Sequence, residues 1–140
     1  MEQDYIRVGA GAIIIKDNMI LLAKRKGSYF AGMWGSFGGS VEFNETPADA
    51  VKREAREELG IEVGNIKFIT CADMVVEGKH VIDISFTADI ISGEPSICEP
   101  DFAETVGWFP LDNLPSPLFY PVKIGLEALK TGQKYFEIKE

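Results

Sequence analysis

The chain has 140 residues, 46% of them hydrophobic, and a mean hydropathy of +0.02, which describes one globular domain large enough to bury a core without disulfides or structural zinc. A formal net charge of −8 and a pI near 4.7 argue against broad electrostatic binding to nucleic acid or to an acidic membrane. Cys71 and Cys98 suit free thiols in a reducing compartment, and together with His80 they are too few ligands for zinc. The segment Met1–Gly11 lacks the pattern of a signal peptide and no apolar run reaches membrane length, so a cytoplasmic protein is expected.

In chain order, Ile6–Ile15 is rich in small and β-branched residues, and Met19–Ala23 resumes the apolar pattern after Asp17-Asn18. This predicts a two-stranded hairpin. Ala12–Ile15 is apolar without alternation, so one of the strands is expected to be covered on both faces. Lys24, Arg25 and Lys26 then lead into Gly27–Gly35, a loop holding Tyr29, Phe30, Met33 and Trp34. Three neighbouring basic residues are most often only solvated. Beside an acidic helix they are also candidates for phosphate contact, Arg25 first, because its planar fork fits phosphate oxygens. Tyr29, Phe30, Trp34 and Phe37 could stack on a base or pack in the core, with equal claim.

Gly38 and Gly39 permit close backbone approach. Thr46-Pro47-Ala48-Asp49 has the form of a helix start, with threonine as N-cap and proline in the first helical position, and Gly60 has the form of a stop. Ala48, Val51, Ala55 and Leu59 make an apolar stripe suited to a sheet. Three- and four-residue spacings bring Glu54 beside both Glu57 and Glu58. At about 6 Å each carboxylate pair repels by roughly 1–3 kcal/mol, and the helix C-terminus adds its own partial negative charge. Arg53 offsets part of this by pairing with Glu57, and a divalent cation would offset far more. A solvated acidic face is the plainer reading of any charge-rich helix; here the flanking residues weigh against it.

Beyond the helix, Ile66–Val76 and His80–Ile91 read as strands joined at Glu77-Gly78-Lys79, with His80 an exposed hairpin residue rather than a catalytic base. Ser92–Pro100 reads as a loop, Val106–Phe109 as a short strand, Leu111–Pro121 as irregular and Val122–Leu129 as a helix ending near Gly132. The tail, Gln133–Glu140, carries no clear signal.

Gly39, Glu45, Arg53, Glu54, Ala55, Glu57, Glu58, Gly60 and Ile61 match the Nudix box, G-x5-E-x7-R-E-U-x-E-E-x-G-U, with Ala55 where a larger aliphatic is usual. Trp34, Gly38-Gly39 and Gly107–Leu111 also resemble a MutT-like Nudix hydrolase, whereas Ser36 and Phe37 replace the usual leucine and proline and leave the shape of that loop open. The resemblance implies an α/β fold, a Nudix-type α/β/α sandwich with a central mixed β-sheet, formed by 1–140 as a single domain with the box at 39–61. It implies Mg2+, with Mn2+ as an alternative, held by Glu57 and Glu58 and by Glu54, the last as a further ligand or as the base that orients water. The Gly38 carbonyl would add a ligand, Arg53 would hold Glu57 in place, and Glu45 would support the loop, or the metal through water. An acid outside the box completes such sites, and among Glu99, Asp101 and Glu104 the expectation falls on Glu104. Arg25, Trp34, Phe37 and Gly39 are the expected substrate contacts.

The implied reaction is hydrolysis of a nucleoside diphosphate linked to another group. Val76-Glu77 and Gly78-Lys79 stand where the ADP-ribose and dinucleoside polyphosphate types carry a proline and a tyrosine, so a canonical or oxidised nucleoside triphosphate is the favoured substrate. A nucleoside diphosphate sugar is the alternative, and a non-catalytic nucleotide-binding module the more distant one, since that reading predicts a damaged box. The expected partner is thus a small nucleotide, not nucleic acid or membrane, and a homodimer is left open.

Overall fold

The apolar run after Arg7 is divided between two sheets in the computed structural model, which describes residues 4–27 and 30–140. β1 (Arg7–Ile13) lies inside a mixed sheet, and after a break at Ile14 the short β2 (Ile15–Lys16) turns back through Asp17-Asn18 onto β3 (Met19–Arg25). Only β2 and β3 form the expected hairpin, with Ile15 opposite Ile20. β1 pairs instead with β5 (Phe37–Ser40) and β7 (Lys79–Ser92). The physical reason lies in the continuous apolar run: Ala12, Ile13 and Ile14 are all nearly inaccessible, and only a strand between two layers buries successive residues on both faces.

The first sheet has five strands in the order β5-β1-β7-β6-β9, where β6 is Glu62–Val76 and β9 is Tyr135–Lys139. β1 runs parallel to β7 and β9 parallel to β6; the other pairings are antiparallel. The β6–β7 hairpin closes through Glu77 and Gly78, both at positive φ (51° and 76°), as a two-residue turn requires. In the second sheet β3 is central, with β8 (Ala103–Pro110) along one edge and β2 and β4 (Trp34–Gly35) on the other. β9 was not expected. Its alternation of exposed and half-buried residues becomes a strand signal only once β6 offers an open edge.

Two helices cover the mixed sheet. Helix α1 (Pro47–Glu54) starts at Thr46, whose hydroxyl accepts the Asp49 N–H at 3.1 Å, and continues as a single π-helical turn, Ala55–Leu59, that ends at left-handed Gly60. It packs Ala50, Val51, Ala55 and Leu59 against Ala10, Ala12 and Ala88. Ala50 rather than Ala48 completes the buried arc, because two successive residues against β1 and β5 widen it by about 100°. Helix α2 (Tyr120–Thr131) ends at left-handed Gly132 and buries Val122 with Ile13 and Ile69, and Ile124 with Ala72, Met74 and Val81. Since Ala10 and Ala12 meet α1 while Ile13 meets α2, alternation along β1 places the helices on opposite faces of the sheet. The fold is the expected α/β/α sandwich around a mixed sheet. Among the described residues no helix is long and apolar enough to cross a membrane.

Candidate active site

Backbone contacts dictate the shape of the loop into α1. Gly38 sits at φ 157°, and a Cβ there would meet the Ala10 carbonyl oxygen at 2.6 Å and the Gly11 Cα at 2.8 Å, so glycine is required. Ser36, standing where the family usually has leucine, donates its hydroxyl to the Ala12 carbonyl and ties the β4–β5 junction to β1. This delivers the Gly38 N–H to Glu58, whose Oε1 accepts it at 2.9 Å. Gly39 lies directly beneath Glu54, where a Cβ would come within 2.5 Å of Oε1.

Arg53 organises the acids around it. Its Nε and Nη2 donate to the two oxygens of Glu45 at 2.7 and 3.0 Å, Nη2 also donates to the Ser40 carbonyl at 3.0 Å, and Nη1 donates to Glu54 at 2.8 Å and to Glu57 at 3.2 Å. The principal partner is therefore Glu45, because a bidentate fork on a carboxylate is the better geometry, and Glu57 shares one remaining nitrogen with Glu54. These bonds hold the Glu45 carboxyl near 2 and keep Arg53 protonated more firmly than a free arginine. Among the described residues no three acidic, cysteine or histidine side chains are already gathered in metal-holding geometry; the guanidinium stands between Glu54 and Glu57.

The π-helical turn and the fold around it bury the remaining acids unequally. Glu58 is 8% exposed, and burial pushes its carboxyl up to about 8 despite the Gly38 N–H, with the charges of Glu54 and Glu99 adding to the rise. Glu54 is also raised, again by burial first, with Glu57 and Glu99 contributing. Glu99 acts on both because the segment before it crosses the helix end: the Ser96 N–H donates to the Leu59 carbonyl at 3.1 Å and the Cys98 N–H to the Glu58 carbonyl at 3.0 Å. Glu104 pairs with Lys24, its carboxylate 3.3 Å from Nζ. The difference lies in strand register, since Lys24 pairs with Thr105 across β3–β8 and brings the lysine beside Glu104.

A cleft of about 290 Å³ opens from this cluster across the α2 face of the mixed sheet. Glu58, Gly38 and Gly39 line one end, Arg25 and Lys26 line its side, and Gly9, Gly11, Asp83 and Ser85 form part of its floor. The guanidinium carbon of Arg25 lies 4.2 Å from the ring centroid of Phe119, which lines the cleft as well. Trp34 does not line it. Its ring packs edge-on to Phe109 at 4.9 Å, while its backbone accepts from Phe119 N–H and donates to the Pro117 carbonyl, both at 2.8 Å, and so fixes the Phe119 segment. Phe37 borders the cleft, but it is 3% exposed and packs in the core beneath α1, which leaves no open ring face. Phe30 packs on Phe119 and Tyr120, and Tyr29 lies outside the described residues. His80 is half-buried with Nε2 2.7 Å from Asp73 Oδ1, outside the cleft lining.

Sequence reasoning passed over Phe119, Asp83 and Arg7, all of which line the cleft. For Phe119 the available signal was an aromatic pair amid prolines; for Asp83 it was a lone acid between Ile82 and Ile84 in a strand.

A buried acidic helix end over a mixed sheet, joined to a basic and aromatic cleft, has the chemistry to receive a phosphorylated ligand. The NUDIX domain pattern matches residues 5–127. The chain is similar to an ADP-ribose pyrophosphatase of Methanocaldococcus jannaschii, 40% identical over 121 residues that span 84% of this chain and 69% of the relative. It is similar also to an oxidized purine nucleoside triphosphate hydrolase of Danio rerio, 33% identical over 109 residues that span 74% of this chain and 65% of that protein. Among solved structures, a MutT NUDIX hydrolase from Burkholderia pseudomallei matches with a TM-score of 0.86 at 42% identity, covering 90% of this chain and 99% of that one. The chain belongs to the Nudix family, hydrolases that act on phosphorus-containing anhydrides.

Proposed function

We propose that this chain cleaves a nucleoside triphosphate, canonical or oxidised, to the monophosphate and pyrophosphate. The observation that carries this reading is the junction of cluster and cleft: Glu58 and Gly38 belong to both, and Arg25 and Lys26 line the same space. Desolvated, mutually repelling carboxylate oxygens are the donor set of a hard divalent cation, which would offset the burial that raises the carboxyls of Glu54 and Glu58. Glu54, Glu57 and Glu58 with the Gly38 carbonyl would hold Mg2+ or Mn2+. Glu99 takes the place expected of Glu104 as the acid from outside the box. When bound, the ion supplies positive charge to the phosphate oxygens and acidifies the attacking water.

The chain's own residues then have distinct tasks. Arg53 orients Glu54 and Glu57, and Glu45 holds Arg53. Arg25 and Lys26 contact the phosphates, and Phe119 walls the cleft. Gly39 leaves room for the Glu54 carboxylate at the phosphate end of the cleft. Trp34 acts indirectly through Phe119. Glu54 and Glu57 are the candidates to orient water or take up its proton. Two free cysteines, Cys98 exposed, support a cytoplasmic setting.

A second reading, a nucleoside diphosphate sugar as substrate, is favoured by the name of the archaeal relative. A panel of nucleoside triphosphates and nucleoside diphosphate sugars with Mg2+ separates the two, because one releases pyrophosphate and the other a sugar phosphate. Glu57→Gln should abolish either activity. A wild-type protein that binds nucleotides and cleaves none would overturn both readings, and full activity in Glu57→Gln would overturn the site assignment.

A further inference from the structure

Beyond the phosphate end, the cleft floor carries a carboxylate that none of the roles above employs. Asp83 lies in the middle of β7, on the same face as Val81 and Ser85, where β1 opposes it with Gly9. Ser85 donates its hydroxyl to Oδ2 at 3.0 Å, while among the described residues no hydrogen bond reaches Oδ1. That oxygen overlies Gly9, where a Cβ would stand 3.3 Å away. Gly9 and Gly11 keep side chains off this part of the floor, so a planar group can lie against the sheet and bring its edge to Asp83. An acid in this position is costly without a ligand, and burial does raise its carboxyl, opposed by the Ser85 hydroxyl and the field of Arg7.

Register places the acid at the far end of a nucleoside. Gly38, beside Glu58, pairs with Gly11, and Gly11 pairs with Ser85. Two inter-strand steps of about 4.8 Å and one two-residue step along β7 therefore separate the phosphate end from Asp83. A nucleotide with its phosphates at Glu58 and Arg25 would direct its base toward this carboxylate.

We propose that Asp83 reads the base and selects guanine-type nucleotides, through a ring N–H and an adjacent exocyclic amino group donating to its carboxylate. This rests on the nucleotide hydrolase reading above. Burial works against the ionised form, and the Ser85 hydroxyl and the field of Arg7 oppose that; two N–H donors of a bound base would join them, since only the ionised, acceptor-only carboxylate can take both. Among the common bases only guanine places two N–H donors side by side. Adenine and cytosine set an acceptor ring nitrogen beside their amino group, and uracil and thymine flank their single N–H with carbonyl oxygens that would face the carboxylate. An oxidised guanine modified away from this edge presents the same two donors, so Asp83 would serve either substrate.

The test is a comparison of kcat/KM for GTP, ITP, ATP, CTP and UTP, with the same bases offered as nucleoside diphosphate glucose. Wild type should prefer GTP, with ITP, which lacks only the amino group, lower by roughly tenfold or more. Asp83→Asn replaces one acceptor by a donor. It should erase the GTP–ITP gap and raise the relative rate on ATP or CTP. Should the variant fold poorly, as read by its melting temperature, the wild-type GTP–ITP pair decides alone. Equal rates on GTP and ITP, or an unchanged base order in a folded Asp83→Asn, would overturn the inference while leaving the hydrolase reading intact. Cleavage of the diphosphate glucose series alone would instead overturn the triphosphate reading, and the guanine preference would be scored within that series.

Discussion

Replacing Glu58 by glutamine should stabilise the metal-free protein at alkaline pH and remove its response to magnesium. Burial raises this carboxyl from the ordinary 4.5 to about 8, so the folded protein holds the proton more tightly than the unfolded chain does. Below pH 4.5 both states carry the proton and no penalty exists. As pH rises from 4.5 to 8 the unfolded chain ionises freely while the folded one resists, and stability falls until it levels above pH 8. At about 1.4 kcal/mol per pH unit, the penalty over that interval grows to about 4–5 kcal/mol. Glutamine keeps the shape and the acceptor for the Gly38 N–H but carries no charge, so the variant escapes the penalty. Urea unfolding in EDTA at pH 5.5, 7 and 8.5 measures the effect: the variant should exceed wild type by about 1.4 kcal/mol at pH 5.5 and by progressively more above. Added Mg2+ should raise the melting temperature of wild type, more at pH 8.5 than at pH 5.5, and leave Glu58→Gln nearly unmoved. A gap that stays flat with pH, or a variant that gains as much from Mg2+ as wild type, refutes the reasoning.

The Arg53 hub yields a second expectation: Arg53→Lys loses the bidentate fork on Glu45 and should lower kcat by roughly 10–100-fold with the fold retained, as circular dichroism and single-turnover assays would show. The Glu45 pairing should support the fold at full strength above pH 4.5 and fade as pH falls toward 2, since its folded carboxyl titrates near 2; acid unfolding of Glu45→Gln should lack that component. Gly38→Ala drives a methyl into the Ala10 carbonyl and should cost about 1–3 kcal/mol in urea unfolding. At Gly39 the added methyl meets the movable carboxylate of Glu54, so Gly39→Ala should lower activity more than stability. Arg25→Ala removes the proposed phosphate contact and the cation over the Phe119 ring, and should raise KM by about tenfold with a smaller change in kcat.

The helix limits at Thr46 and Gly60 and the crowding of Glu54, Glu57 and Glu58 were legible from the chain alone, because each follows from interactions within a few residues. Capping, turn chemistry and carboxylate repulsion are local physics. The same holds for the β6–β7 hairpin, whose turn is set by Glu77 and Gly78. Tertiary structure decided what depends on partners distant in sequence. It divided the run from Arg7 to Lys16 between two sheets, paired the tail as β9 with β6, and gave Arg53 primarily to Glu45. Chain crossing over the helix end brought Glu99 to Glu54 and Glu58, while strand register gave Glu104 to Lys24. Burial is likewise a property of the assembled layers: it distinguishes Glu58 from Glu57 although the two are neighbours in sequence, withdraws Phe37 into the core, and turns to the cleft Phe119 and Asp83, whose only local signals were an aromatic pair amid prolines and a lone acid in an apolar strand.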